Sequence, residues 1–329
     1  MTTVSVLLEG GGSGTWVGTV AASNTVSWRR FGPLESRTVG NPVGIQVAEL
    51  VLDATATFGG TPELVLAALS AITSAGSAAK IAISITTAIS GANRNDNTWV
   101  MACNDILPLL SWEVGTASVA TICGTGTGFA ARDRDGSIRR ASGAEYILSD
   151  EGGGFDLGLS GLRAATRGWD GRGPCTMLTE AALALGDGTF EGLWVFVYGS
   201  GPEGLKQRVA TFAPHVLHAA VDGDDVAEEI VSTAASHLVD GIRAVLGTIT
   251  PSKATLTMAG SVLCSPTSGL LRSRLVEKLS KDGITFGTYV VAPDAREHLV
   301  AMRSSLLSES ADFQGFIMLD GTFPAAIAR

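Results

Sequence analysis

Residues 4–22 decide the fold of this chain, and they read VSVLLEGGGSGTWVGTVAA. Val4–Leu8 is a short apolar run of the kind that forms a buried strand, and a second strand-like run follows at Trp16–Ala22. The segment between them, Glu9–Thr15, contains four glycines, which permit a tight turn because they carry no Cβ. The pattern predicts a β-hairpin closed by a glycine-rich turn.

A similar unit begins the second half of the chain. Residues 118–132 read SVATICGTGTGFAAR, so a strand runs into the glycine loop Gly124–Gly128 and then into another strand. A chain of 329 residues also exceeds the usual size of a single core. We therefore predict two lobes of similar topology with a cleft between them, one formed by residues 1–116 and the other by residues 117–329.

The segments between these hairpins predict an α/β protein. Val43–Thr57 and Pro62–Ile72 have helical spacing, whereas Ile81–Thr86 and Trp99–Cys103 are short apolar runs typical of buried strands. Beyond residue 150 the chain is predicted to be mostly helical, with a few short strands. Strands that alternate with helices are typical of a sheet covered by helices.

The composition excludes several classes of protein. The net charge of −9 and the pI of about 5.0 disfavour nucleic acid as a partner, because an acidic surface repels phosphodiester backbones. Hydrophobic residues make up 45% of the chain, which fits a folded protein, yet no run is long enough to span a membrane. The four cysteines are far apart, and the first residues lack the features of a signal peptide. We expect a cytoplasmic protein with reduced thiols.

The two glycine loops are candidate phosphate sites. Consecutive backbone N–H groups can converge on one anion where no side chain blocks the approach. Neither Glu9–Thr15 nor Gly124–Gly128 matches the P-loop or the dinucleotide fingerprint. The alternative is a pair of tight hairpins without a ligand.

Asn104 and Asp105 follow the predicted strand Trp99–Cys103 directly. Catalytic residues of open α/β sheets often lie at the carboxyl ends of strands. A carboxylate there can accept the proton of an attacking hydroxyl group during phosphoryl transfer. The alternative is an Asx turn or a helix N-cap, for which both residue types are common.

Two further segments are candidates for ligand contact. Ser149–Gly154 reads SDEGGG and has Glu145 and Asp156 nearby, so its carboxylates could bind sugar hydroxyls, an amine or the waters of Mg²⁺. A solvated acidic loop is the alternative. Ala259–Ser261 follows another strand, where small residues could admit an adenine ring or could form an ordinary strand-to-helix turn.

Taken in order, these motifs resemble one known family. The segments EGGGSGT, GNP, ND, GTGTG, SDEGGG, DGRGP and AGS are similar to those of the N-acetylglucosamine kinases, which belong with the BadF/BadG-type ATPases in the sugar kinase–Hsp70–actin superfamily. The resemblance implies two ribonuclease-H-like lobes and ATP-dependent phosphorylation of an amino sugar, N-acetylglucosamine or glucosamine, at the C6 hydroxyl. It also implies Mg²⁺ as cofactor, and a homodimer is the family tendency.

The resemblance implies a role for each matching position. Asp105 matches the catalytic base, Glu9 matches the residue that holds Mg²⁺ through water, and Asn41, Asn104 and Asp150 match sugar-binding positions. The positions implied to bind ATP are Gly11, Gly12, Ser13, Gly14, Thr15, Gly124, Thr125, Gly126, Thr127, Gly260 and Ser261.

The chain departs from the family pattern at four places. The first loop begins with Glu9 where the family usually has Asp, and Gly14 replaces a residue that is often basic or polar. Glu145 lies where N-acetylglucosamine kinases commonly have Gly-Trp-Gly, and it could pair with a protonated C2 amine or with a nearby arginine. Ile89–Asn97 replaces what is usually a longer helix.

Two other functions remain open at this point. One is an ATP-driven activator of a dehydratase, which requires cysteines to hold an iron–sulfur cluster at a dimer interface. The other is a sugar or nucleotide sensor that keeps the fold without turnover, which the change to Glu9 motivates.

Overall fold

The computed structural model describes residues 5–11, 14–21, 25–32, 34, 43–58, 62–93, 98–201, 204–308 and 325–328. The chain divides into two compact units. The first unit comprises Met1–Thr116, Arg134–Ile138 and Asp294–Arg329, and the second comprises Ala117–Asp133 and Arg139–Pro293.

The first unit is built on a six-stranded mixed sheet. In chain order its strands are β1 (Ser5–Gly11), β2 (Gly14–Val20), β3 (Val26–Phe31), β4 (Leu64–Leu69), β5 (Trp99–Cys103) and β11 (Ala325–Ala328). The spatial order is β11-β5-β4-β1-β2-β3. The strands β1, β2 and β3 form an antiparallel meander, β4 and β5 continue the sheet in parallel with β1, and β11 closes it antiparallel to β5. The hairpin predicted at the start of the chain is confirmed.

Helices cover both faces of this sheet. Helices α1 (Val43–Phe58) and α2 (Ala75–Asn93) pack on the face that carries Val6 and Leu8 of β1. Helix α12 (Ala295–Ser308) contacts β1 and the 3₁₀ turn Leu107–Leu109. Its apolar stripe is buried there, at Leu299, Met302 and Leu306.

The position of α12 differs from the predicted division of the chain. That division placed all of residues 117–329 in the second lobe, whereas Asp294 and the described residues that follow it belong to the first unit. The physical reason is the burial of the α12 stripe against β1, together with a hydrogen bond from Arg303 Nε to Ser5 Oγ at 2.8 Å. Such a contact between the two ends of the chain leaves no local signal in the sequence.

Two predicted elements in the first unit are wrong. Pro62–Ile72 was predicted to be helical, but Leu64–Leu69 is a strand with every residue buried between β1 and β5. Ile81–Thr86 was predicted to be a strand, but it lies inside α2. In that helix Ile81, Ile85 and Ile89 are buried at a spacing of four residues, which aligns them on one face.

The second unit is built on a five-stranded mixed sheet. Its strands are β6 (Ser118–Cys123), β7 (Thr127–Arg132), β8 (Ile138–Ser142), β9 (Thr255–Ala259) and β10 (Thr288–Ala292), in the spatial order β10-β9-β6-β7-β8. The strands β6 and β7 form an antiparallel hairpin, and β9 and β10 extend the sheet in parallel with β6. The second glycine hairpin is therefore also confirmed.

The rest of the second unit is helical, as predicted. Its helices are α3 (Glu145–Leu148), α4 (Gly154–Trp169), α5 (Leu178–Ala184), α6 (Phe190–Tyr198), α7 (Leu205–Ala210), α8 (Ala213–Val221), α9 (Asp225–Leu246), α10 (Ser261–Cys264) and α11 (Gly269–Lys281). Helix α9 packs on β6 and β7, and Phe129 of β7 lies directly beneath Gly241. None of the helices in the described residues combines the length and the apolar character that a bilayer crossing requires.

Candidate active site

The first glycine hairpin places Glu9 at the end of β1. Glu9 pairs with Trp16 of β2, and Gly11 pairs with Gly14 where the hairpin closes. Successive residues of a strand face opposite sides of the sheet, so Glu9 lies on the face opposite Leu8 and the helices α1 and α2. Gly12 and Ser13, between the two strands, and Asn41 lie outside the described residues.

Thr15 differs from Glu9 in the face that it occupies. It pairs with Gly10 rather than with Glu9, and its side chain is fully buried. In the described part of the chain its hydroxyl has no hydrogen-bond partner. The Thr15 side chain therefore lies on the face opposite Glu9, and only its backbone groups are near that carboxylate in the strand pairing.

Glu9 and Asp105 share one electrostatic environment. Burial, the negative charge of Asp105 and a smaller contribution from Asp294 together raise the pKa of Glu9 from 4.5 to about 7. Arg296 opposes this shift. Asp105 lies half-buried directly after β5. The first unit therefore brings together the two carboxylates for which the family resemblance implies the Mg²⁺ role and the general-base role.

Asn104 is held within the first unit. Its side-chain Nδ2 donates a hydrogen bond to the Ile72 carbonyl at 2.9 Å, and its Oδ1 accepts one from the Ile106 N–H at 3.3 Å. The second bond forms the Asx turn that was the alternative for this position. The buried amide fixes the backbone that presents Asp105.

A cluster around Trp16 was not predicted from the sequence. The guanidinium carbon of Arg296 lies 4.0 Å from the centroid of the Trp16 ring, and Arg296 binds Asp294 through Nε at 2.7 Å and Nη2 at 2.6 Å. Arg30 lies on the same ring at 5.8 Å. No motif marks Arg296, because it is 280 residues from Trp16 and reaches it only through the return of α12 to the first unit.

In the second unit, three glycine segments pack backbone against backbone. The N–H groups of Gly154 and Phe155, which begin α4, donate to the carbonyls of Gly124 at 2.7 Å and Thr125 at 2.9 Å. A Cβ on Gly260 would lie 2.5 Å from the carbonyl carbon of Cys123, and φ at Gly260 is +94°. Glycine is required at Gly260 by both criteria. The loops predicted to hold the phosphates and the adenosine are thus in direct contact.

The loop between β6 and β7 presents free backbone donors. The Thr127 N–H donates to Asp150 Oδ1 at 3.1 Å, and the Gly124 N–H donates to the Gly126 carbonyl at 3.0 Å. The N–H groups of Thr125 and Gly126 have no acceptor among the described residues. Two adjacent unpaired N–H groups in a glycine turn are suited to an anion.

Asp150 is buried, and both of its carboxylate oxygens are engaged. Oδ1 accepts the Thr127 N–H, and Oδ2 accepts a hydrogen bond from Lys206 Nζ at 2.9 Å. Lys206 also donates to Glu145 Oε2 at 2.9 Å. Burial alone would lower the pKa of Lys206, but its hydrogen bonds to Glu145 and Asp150 outweigh burial and raise it.

Glu145 therefore pairs with a lysine. The alternative considered from the sequence was a nearby arginine. Lys206 lies on α7, 61 residues from Glu145, and no motif in the sequence singles it out. Ser142, Glu145 and Asp150 all have positive φ values, of 65°, 70° and 74°. Backbone strain of this kind in non-glycine residues persists only where the surrounding contacts fix the conformation.

A cavity of about 350 Å³ in the second unit is lined in part by Thr127. Its polar lining comprises Thr127, Ser142, Ser149, Glu151, His237 and Asp240. Neither Asp150 nor Glu145 belongs to this lining.

The carboxylates of the first unit fit the requirements of Mg²⁺. In the described residues, no three His, Cys, Asp or Glu side chains come together as a metal-binding group. Mg²⁺ in phosphoryl-transfer sites usually takes only one or two protein carboxylates, with water and substrate phosphates as its other ligands. Glu9 supplies one such carboxylate in its ionised form, and the neighbouring Asp105 remains for the proton of the attacking hydroxyl group.

The sequence is similar to a curated kinase. The N-acetylmuramic acid/N-acetylglucosamine kinase of Clostridium acetobutylicum is 32% identical over 148 residues, which cover 44% of this chain and 48% of that protein. The chain therefore matches about half the length of this relative.

Two solved structures show the same fold. A protein from Porphyromonas gingivalis, provisionally named an N-acetylglucosamine kinase, has a TM-score of 0.66 at 17% identity, covering 94% of this chain and 99% of that one. The ROK family glucokinase of Streptomyces griseus, solved with glucose and AMPPNP, has a TM-score of 0.52 at 16% identity, covering 91% of this chain and 97% of that one. The predicted α/β fold with two ribonuclease-H-like lobes is confirmed.

A sequence profile of the BadF/BadG/BcrA/BcrD ATPase family matches residues 75–285. This range includes the turn that carries Asp105, the second glycine loop, the SDEGGG segment and the Ala259–Ser261 turn. The match extends over more than half of the chain. The resemblance inferred from the motifs is therefore confirmed, and the chain belongs to the BadF/BadG/BcrA/BcrD ATPase family.

Proposed function

We propose that this protein is an ATP-dependent kinase that phosphorylates a hydroxyl group, at C6, of an N-acetylated amino sugar such as N-acetylglucosamine. The observation that carries the proposal is the coupling of two carboxylates, Glu9 and Asp105, beside the first glycine hairpin. A kinase of this type needs one carboxylate for the metal and another for the proton of the attacking hydroxyl. The name of the Clostridium acetobutylicum relative supports the same class of reaction.

Separate residues of this chain have separate roles in the phosphoryl transfer. Asp105 accepts the proton of the sugar hydroxyl as its oxygen attacks the γ-phosphorus of ATP, and the bond from that phosphorus to the bridging oxygen breaks to release ADP. The free N–H groups of Thr125 and Gly126 bind phosphate oxygens. Glu9 would hold Mg²⁺, which supplies positive charge to the phosphate oxygens.

The ion pairs of Lys206 favour an acetamide over a free amine at C2. Glu145 was the candidate for reading a protonated amine, but the Lys206 ammonium group already lies 2.9 Å from its carboxylate and 2.9 Å from that of Asp150. A second cation at this place would repel Lys206 and would compete for the same oxygens. An uncharged acetamide brings no such cost.

An assay of ADP release tests the proposal. Mg·ATP would be offered with N-acetylglucosamine, N-acetylmannosamine, glucosamine and glucose, and the position of the phosphate would be read by NMR of the product. We expect turnover on an N-acetylated sugar with phosphate on O6. Turnover on glucosamine alone would overturn the assignment of an N-acetylated substrate. No ADP release with any of these sugars would overturn the assignment of kinase activity.

The assignment of Asp105 as the general base is tested by the variant Asp105→Asn, with Asp53→Asn as the matched control. Asp53 is an exposed carboxylate on α1 that pairs with Arg29, so its substitution removes the same charge elsewhere in the first unit. We expect Asp105→Asn to abolish transfer with nucleotide binding retained, and Asp53→Asn to behave as wild type. Normal turnover by Asp105→Asn would show that another group takes the proton.

A sensor without turnover is the second candidate. The raised pKa of Glu9, about 7, favours it because a protonated carboxyl group binds Mg²⁺ poorly. Sugar binding measured by calorimetry, without ADP release, would support this reading. Cys103 and Cys123 are unsuited to the iron–sulfur cluster of a dehydratase activator, because both are buried and burial raises the pKa of their thiols, which opposes thiolate ligation.

A further inference from the structure

Arg296 is held rigidly at the first residues of α12. Its guanidinium group makes two hydrogen bonds to Asp294, from Nε to Oδ1 at 2.7 Å and from Nη2 to Oδ2 at 2.6 Å. The backbone N–H of Arg296 donates to the same Oδ1 at 3.0 Å. The plane of the group also rests on Trp16, with Cζ 4.0 Å from the ring centroid. A planar cation that is fixed by two hydrogen bonds and by stacking on a ring loses little conformational entropy when it binds another group.

This cation belongs to the surroundings of Glu9. Trp16 is the cross-strand partner of Glu9, so the ring under Arg296 and the Glu9 carboxylate lie side by side on one face of the sheet. Arg296 is also close enough to Glu9 to oppose the rise in the pKa of that carboxyl group, which burial and Asp105 cause. Arg296 thus lies beside Glu9, on the same face of the β1–β2 hairpin.

One side of the guanidinium group remains available. Asp294 occupies Nε and Nη2, and Nη1 has no acceptor among the described residues. A quarter of the side chain, 25%, is exposed to solvent. The first loop itself offers no side-chain cation, because the position that is often basic or polar in similar proteins is Gly14.

We propose that Arg296 binds the terminal phosphoryl group of the nucleotide beside Glu9 and Trp16 of the first unit, through Nη1. This inference rests on the proposed kinase function. As the phosphoryl group passes from the bridging oxygen of ADP to the sugar oxygen, Arg296 stabilises the charge on the oxygens that are transferred with it. The proton of the sugar hydroxyl goes to Asp105, so Arg296 neither gains nor loses one. Fixed donors of this kind act without reorganisation in the transition state.

The test compares Arg296→Gln with Arg29→Gln. Arg29 is an exposed arginine of the same unit that binds Asp53 and is not a partner of Trp16, so its substitution is a matched loss of charge. Dissociation constants for AMPPNP and for ADP would be measured by calorimetry with Mg²⁺ present, and kcat in the ADP-release assay. We expect Arg296→Gln to weaken AMPPNP binding about 10-fold or more with ADP binding unchanged, and kcat to fall roughly 100-fold. Arg29→Gln should match wild type.

A second variant distinguishes the loss of the guanidinium group from a defect in folding. Arg296→Lys keeps the charge but loses the fork to Asp294, so we expect it to retain part of the preference for AMPPNP over ADP and a kcat between those of wild type and Arg296→Gln.

The failure of this inference is distinguishable from failure of the kinase. If wild type turns over sugar while Arg296→Gln and Arg296→Lys keep the wild-type ratio of AMPPNP to ADP affinity, the role of Arg296 is overturned and the kinase stands. If wild type binds neither nucleotide, both are overturned.

Discussion

Lys206 and Asp150 form an ion pair with Nζ 2.9 Å from Oδ2, across 56 residues of sequence. The other oxygen of the same carboxylate accepts the Thr127 N–H at 3.1 Å, so the lysine is connected to the second glycine loop through one buried side chain. The carboxylate cannot leave this position without giving up both contacts. The geometry of the loop therefore depends on a residue that lies outside every motif.

The first prediction concerns the removal of this lysine. Lys206→Met should destabilise the protein by about 1–3 kcal/mol, because it leaves the buried Asp150 carboxylate without its cation. Glu145→Gln is the control, since it removes only the exposed partner and should cost less than about 1 kcal/mol. Urea unfolding of the three proteins measures both values. Equal costs for the two variants would contradict the unequal roles assigned here.

A second prediction concerns Gly126. A Cβ added there would lie 2.5 Å from Cγ of Asp150, well inside van der Waals contact, and that carboxylate is fixed by Lys206 and Thr127. We expect Gly126→Ala to cost about 1–3 kcal/mol of stability and to weaken nucleotide binding. Gly269→Ala is the control, because a Cβ at that helical position meets nothing within 4 Å. It should be neutral or slightly stabilising in the same unfolding experiment.

The sequence was sufficient to place the loops but not the cations around them. Glycine turns between apolar runs are local signals, and the β1–β2 and β6–β7 hairpins formed where the sequence predicted them. Lys206 and Arg296 carry no local signal, since each meets its partners only through helices that return from distant parts of the chain. Their positions depend on tertiary packing, which a single sequence does not report.

The two wrong elements have separate physical causes. Leu64–Leu69 is buried on both faces of the sheet, so it has no alternation of apolar and polar residues that would mark a strand. Ile81–Thr86 is a short apolar run, which favoured a buried strand when it was considered alone. Over a longer window, the spacing of Ile81, Ile85 and Ile89 indicates a helix, and that periodicity was the usable signal.

A third prediction follows from the raised pKa of Glu9. Burial and Asp105 raise it from 4.5 to about 7, so the folded protein holds this proton more tightly than the unfolded chain does. The contribution of Glu9 to stability is fully present below pH 4.5 and is lost as the pH rises toward 7. Glu9→Gln removes this titration. The free energy of unfolding of the variant minus that of wild type should therefore rise by about 3 kcal/mol between pH 4.5 and pH 8.

The control for Glu9 is Glu49→Gln, an exposed carboxylate of α1 in the same unit. Urea unfolding at pH 4.5, 6, 7 and 8 in the absence of nucleotide would give the curves. The Glu49 variant should follow wild type at every pH. A constant offset between Glu9→Gln and wild type would mean that Glu9 titrates normally in the folded protein.

A fourth prediction concerns Asp224, which caps α9 and ties it to the segment before α5. Its carboxylate accepts hydrogen bonds from the N–H groups of Ala227 at 2.9 Å and Met177 at 2.6 Å, and from the Thr176 hydroxyl at 2.9 Å. Burial raises the pKa of Asp224, but these hydrogen bonds outweigh burial and hold it below its usual value of 3.8. Its stabilising contribution is therefore present above pH 3.8 and is lost as the pH falls through the lower folded pKa. Asp224→Ala should cost about 1–2 kcal/mol at pH 7, the usual cost of losing an N-cap, and the difference from wild type should shrink in acid.

The neighbouring Asp225, which is exposed in the first turn of α9, provides the control, and Asp225→Ala should change stability by less than about 0.5 kcal/mol at pH 7. Equal losses for the two aspartates in thermal unfolding would mean that the contacts of Asp224 with Thr176 and Met177 add nothing to the stability of this unit.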